Sequence, residues 1–132
     1  MRNKLFLIIF FTLIGSGLCD TTNISVKTVI FYSSFTGVDT TQDDVEIISD
    51  FEYLREQVSH YIDSLGLAIK DINSGIIQFN CNSDKNHIID TKLLATPTAI
   101  ILFDGKNKPK HFLGVMTDID LIMEMNQYFL KQ

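Results

Sequence analysis

The 132-residue chain is poor in cysteine, in basic charge and in long apolar runs, and each shortage closes off a class of protein. Its two cysteines are Cys19 and Cys81, and Cys19 sits at the end of a basic-apolar start, which leaves Cys81 as the one thiol inside any domain. A single thiol builds no disulfide framework, and in an oxidising compartment it is expected as a small buried core residue. The longest apolar run, Leu5–Phe11, falls well short of the roughly 20 residues of a membrane-spanning helix, even extended to Ile14. With Arg2 and Lys4 ahead of it and Gly15, Ser16 and Gly17 behind, it has the pattern of a signal peptide, cleaved after Cys19 or after Gly17. Residues 1–19 are therefore read as signal peptide and 20–132 as one domain in the secretory pathway, with no membrane contact after cleavage.

Basic residues are scarce as well. Without Arg2 and Lys4, nine face sixteen acidic side chains, and the formal charge moves from −5 to about −7, a poor surface for nucleic acid. The acidity gathers between Asp39 and Glu56, where a solvated helix face is expected. His60, His87 and His111 are scattered and form no metal-ligand pattern, and Ser33-Ser34 lacks the glycine frame of a nucleophile elbow, so neither a metal nor another cofactor is expected. Lys106, Lys108, Lys110 and His111 read as a solvated turn. Asn23-Ile24-Ser25 is an N-glycosylation sequon, usable only in a eukaryotic secretory pathway.

What the chain has is a clear succession of periodic segments. Val26–Tyr32 reads as a strand buried on both faces. Val45, Ile48, Phe51, Leu54, Val58, Ile62, Leu65, Ile69 and Ile72 recur at helical spacing, which predicts one long helix, opened by a Thr41/Asp44 capping box and kinked or divided at Gly66. Ile76–Phe79 reads as a second strand, Asp84–Leu94 as a short helix, and Thr98–Phe103 as a third strand leaving through Asp104-Gly105. Lys110–Val115 is the return strand, and Asp118 opens a last helix that carries Ile119, Ile122, Met123, Met125 and Phe129. The order β-α-β-α-β-β-α predicts a mixed four-stranded sheet flanked by helices on both faces.

This order, with three local patterns, resembles the thioredoxin fold and is most similar to the catalytic-type domains of protein disulfide isomerases. Phe31-Tyr32-Ser33-Ser34-Phe35-Thr36-Gly37-Val38-Asp39 aligns with their F-Y-A-P-W-C-G-H-C, Phe79-Asn80-Cys81-Asn82 with V-D-C-T, and Ala95-Thr96-Pro97-Thr98 with the x-P-T segment whose proline is cis and faces the active-site loop. The resemblance spans about residues 27–131. Thr36 and Asp39 stand where it would place the two cysteines, and Ile30 where it would place a buried glutamate used for proton transfer. Dithiol-disulfide exchange needs a thiolate and a resolving thiol, and these positions supply neither.

The resemblance therefore implies a redox-inactive, non-catalytic protein that binds unfolded polypeptide or one specific secretory-pathway protein, in the endoplasmic reticulum lumen or after secretion. Peptide binding falls to Phe35, Thr36, Thr96 and Pro97, in a groove between the Phe35–Asp39 loop and the proline segment. Two alternatives remain beside it: a thiol oxidoreductase acting through Cys81, signalled by an exposed thiol, and an accessory subunit docking one partner through its acidic helix or a sheet edge.

Overall fold

The computed structural model describes residues 21–35, 41–82 and 85–130. Within them the chain is mixed α/β, with two α-helices and two mixed sheets of three and four strands. The four-stranded sheet is ordered β3-β2-β6-β7, from β2 (Thr28–Ser33), β3 (Ala68–Ile72), β6 (Thr98–Phe103) and β7 (Lys110–Leu113). β2 and β3 run parallel, while β6 is antiparallel to both β2 and β7. Helices α1 (Gln42–Ser64) and α2 (Asp118–Phe129) cover one face of this sheet.

The other face is covered by strands, where a helix is expected from the sequence. β1 (Thr21–Ile24), β4 (Ile76–Cys81) and β5 (Lys85–Asp90) form the second sheet, in the order β1-β4-β5. The segment predicted as a short helix at Asp84–Leu94 is thus mostly a strand, followed by a 3-10 turn at Thr91–Leu93. Its alternation explains why: Ile89 points into the core and Ile88 out to solvent.

Strands β2, β3 and β6 of the central sheet each feed two cores. Val29, Phe31, Ile100 and Leu102 pack against Phe51, Leu54, Val58 and Ile62 of α1 and Leu121, Met125 and Phe129 of α2. Ile30, Tyr32, Ile101 and Phe103 meet Ile24, Ile77, Phe79, Cys81 and Ile89 of the second sheet. In α2 the buried stripe is Leu121, Met125 and Phe129, so Ile119 and Met123, expected in the core, are exposed.

The long helix starts as its sequence predicts. The Thr41 hydroxyl accepts from the Asp44 N–H at 3.2 Å, and the Asp44 carboxylate accepts from the Thr41 N–H at 3.1 Å. It does not continue to Ile72. Gly66 takes φ +73°, its N–H donates to the Asp63 carbonyl, and the Leu67 N–H reaches back to the Ile62 carbonyl, which is a Schellman ending with Leu67 and Ile62 both in the core. Ile69 and Ile72 then belong to β3, with Ile69 packed on the helical core and Ile72 in the other.

At the opposite end of the sheet Asp104 organises the turn from β6 to β7. Its carboxylate accepts from the Lys106 and Asn107 N–H groups at 2.8 and 2.7 Å and from the Asn107 side-chain amide at 2.8 Å. Partial burial alone would raise its pKa, but these donors outweigh it and hold the carboxyl below its ordinary value of 3.8. A carboxyl depressed in the folded state contributes stability that is present above the unfolded pKa and is lost as pH falls through the folded one. Asp104→Asn is therefore expected to flatten the acid limb of the stability profile below about pH 4, as read by urea denaturation at a series of pH values. An unchanged acid limb would count against this role for Asp104.

Candidate functional site

The parallel strands β2 and β3 both end at one edge of the central sheet, next to the start of β6. In open α/β sheets such strand ends are where clefts form. Here β2 is closed onto the proline segment: the Ser34 N–H donates to the Pro97 carbonyl at 2.8 Å, and the Ser34 hydroxyl lies 3.4 Å from the same oxygen. The Thr96 hydroxyl donates to the Thr98 carbonyl at 2.6 Å and accepts from the Gly114 N–H at 3.1 Å, so this segment is fixed from both sides. The Thr96–Pro97 bond is trans, since no cis peptide occurs among the described residues, and the cis bond implied by the resemblance is corrected. A trans bond suits the extended entry into β6 that these hydrogen bonds hold.

Two clefts open on either side of the end of β2. On the helical side a cavity of about 390 Å³ is lined by Phe31, Phe35, Ile48 and Phe51 together with Glu52, Arg55 and Asp71. Across it Arg55 grips Asp71 with two hydrogen bonds, Nε to Oδ1 at 2.7 Å and Nη2 to Oδ2 at 2.6 Å, and its guanidinium lies 5.9 Å from the Phe31 ring centroid. The bond to Asp71 raises the Arg55 pKa further, against the lowering effect of partial burial. The pair is largely solvent-exposed and holds geometry more than it stabilises the fold.

On the side of the second sheet a shallower cavity of about 700 Å³ is lined by Ser34, Asn73, Thr91, Leu94, Thr96 and Pro97. Its floor is built by buried Thr91, whose N–H and hydroxyl both donate to the Gly75 carbonyl, at 3.1 and 2.8 Å. The expected single groove is thus two: Phe35 lines the first cleft, Ser34, Thr96 and Pro97 line the second, and Asn73 borders both. Thr36 and Asp39 fall outside the described residues, as does the expected signal peptide.

Cys81 lies far from these clefts in the chain's second core. It is 2 % exposed, and its Sγ donates to the Asn107 carbonyl at 3.6 Å. That is the buried state expected of a core thiol, and it withholds the exposure that a redox role would need. Asn23 stands on the outer, solvent-facing side of β1, opposite Gln78. Among the described residues no three His, Cys, Asp or Glu side chains stand together to hold a metal, and no helix is long and apolar enough to cross a membrane.

Arg55, Asp71 and Leu94 are site residues that the sequence did not bring forward. Arg55 reads there as the lone base on an acidic helix, and Asp71 as part of that same helix. The Gly66-Leu67 ending, taken as a stop and not a kink, is the signal that would have moved Asp71 into a strand beside Phe31. Compared with protein-family models, with curated proteins and with solved structures, the chain matched none.

Proposed function

We propose that this chain is a redox-inactive, thioredoxin-like protein of the secretory pathway that holds extended polypeptide at the ends of β2 and β3. The observation that carries this reading is the pair of clefts at one sheet end, one lined by aromatic rings and one by hydroxyl side chains, which share Asn73. A segment lying across both would place an apolar side chain against Phe31, Phe35 and Phe51 and its main chain beside the hydroxyls of Ser34 and Thr96. The strand order β3-β2-β6-β7, with one helix joining the parallel pair and another following the antiparallel pair, supports the resemblance stated from the sequence. The burial of Cys81 favours binding over thiol chemistry.

The test is an amide NMR titration with an unfolded, cysteine-free polypeptide. Shifts are expected at Ser34, Phe35, Leu94 and Thr96, and Phe35→Ala together with Leu94→Ala is expected to weaken binding by about tenfold. Absence of shifts at millimolar polypeptide would remove general peptide binding at this end of the sheet.

A further inference from the structure

A second cleft lies on the helical layer, and it does not depend on the strand-end reading. Among the described residues, α1 and α2 are clamped at one end by the Tyr61 hydroxyl donating to Asn126 Oδ1. Toward the start of α2 they part, and a cavity of about 460 Å³ opens, with Tyr53, Leu54, Val115 and Met116 among its walls. Its surroundings are unusually apolar for an exposed site. Tyr53 is 63 % exposed, Ile119 just beyond the rim is 67 % exposed, and Met123, one turn further along α2, is 54 % exposed. Core demand does not explain them, because α2 buries Leu121, Met125 and Phe129 instead.

The rim carries one sign of charge. Asp50 and Asp118 line the cavity, Glu46 precedes Asp50 by one turn on the same side of α1, and Asp120 lies in the first turn of α2. No lysine or arginine lines the cavity. Lys110 beside α2 is engaged with Glu124 at 3.0 Å.

We propose that this acid-rimmed apolar cleft docks a cationic amphipathic helix of a partner polypeptide. Large apolar residues at i and i+4 of the partner enter beside Tyr53, Val115 and Met116, and flanking lysines or arginines meet Asp50 and Asp118. Charge selects this occupant over the others. A second copy of the chain would bring acidic rim against acidic rim, and an anionic membrane surface would be repelled. The methionines suit a partner helix whose register is not rigidly fixed.

The test uses the full chain and a fluorescent Leu/Lys amphipathic peptide of about 18 residues, long enough to fold as a helix on binding. Its controls are a Leu/Glu peptide of the same apolar pattern and an oligolysine of the same charge. The Leu/Lys peptide is expected to bind at roughly micromolar concentration with amide shifts at Tyr53, Gln57, Val115 and Thr117. Tyr53→Ser with Ile119→Ser, or Asp50→Asn with Asp118→Asn, is expected to weaken it by about tenfold or more. Ile88→Ser and Leu93→Ser, exposed apolar positions elsewhere, should leave it unchanged. Equal binding of the Leu/Glu peptide or of oligolysine, or no effect of the Tyr53 and Ile119 pair, overturns the proposal. So does a dimer in sedimentation that this pair abolishes, or binding of the chain to anionic vesicles through the same residues.

Discussion

Phe79→Ala is expected to lower the free energy of unfolding by about 3–5 kcal/mol, a large part of what a domain of this size has to lose. Phe79 is fully buried in β4, with its ring in edge contact with Phe103 of the central sheet at a centroid distance of 4.9 Å. It also stands beside Ile24 in the β1–β4 register and 6.2 Å from the His87 ring of β5. Truncation to alanine leaves a cavity where all three strands of the second sheet meet the central one. Urea denaturation should show a lower midpoint with little change in slope, and Phe79→Leu, which keeps most of the volume, should cost less than about 1.5 kcal/mol. Ile88→Ala on the outer face of the same sheet should stay within about 0.5 kcal/mol of the parent. A Phe79→Ala loss no larger than that of Ile88→Ala would mean that the second sheet is not part of the cooperative core.

The second large effect is expected at Ile30, fully buried opposite Ile101 in the layer between the sheets. Ile30→Glu introduces a carboxyl among isoleucine, phenylalanine, tyrosine and cysteine side chains. Burial without a cation raises the carboxyl pKa in the folded state above its unfolded value. The sign follows: the variant is least impaired below about pH 4.3, and each unit of pH above that costs about 1.4 kcal/mol until the folded carboxyl itself ionises. A loss of roughly 3–5 kcal/mol relative to the parent is expected by neutral pH. Ile30→Gln, which is polar but does not titrate, should cost the same at every pH. A pH-independent loss for Ile30→Glu would sink the argument, and a loss under about 1 kcal/mol would mean that the layer between the sheets accommodates a carboxylate.

Strands with one dominant character were legible from the sequence. β2, β4 and β6 fall within a few residues of their expected places, because their apolar runs are short, rich in β-branched residues and bounded by turns, and β7 follows as the return strand after the Asp104-Gly105 turn. The Thr41/Asp44 box and the start of α2 were legible for the same local reason. β3 was not. Ile69 and Ile72 are three residues apart, which puts them on opposite faces of a strand, one for each core, and the same spacing continues the helical stripe of Val58 and Ile62. β5 was missed because Lys85, Asn86, His87 and Asp90 have little strand preference and only Ile89 is needed inside. β1, four residues long and mostly polar, owes its strand state to β4, a partner that local pattern cannot see. The site follows the same division: Phe35, Thr96 and Pro97 stand out through a local motif and line the two clefts, whereas Asp71 is hidden because the helical stripe runs on past the end of α1.

The pairing of Thr21 with Ile76, the first register point of β1, also sets an order of assembly. During synthesis the first strand emerges more than fifty residues ahead of its neighbour, and the β2–β6 pairing of Thr28 with Phe103 spans a longer interval still. Neither hydrophobic layer can therefore be sealed until the chain has been made through Phe103, and the α1-side layer waits further for Phe129. Contacts of such long separation fold slowly and late. The polypeptide therefore keeps both apolar layers open for most of its synthesis, and only its last thirty or so residues close them.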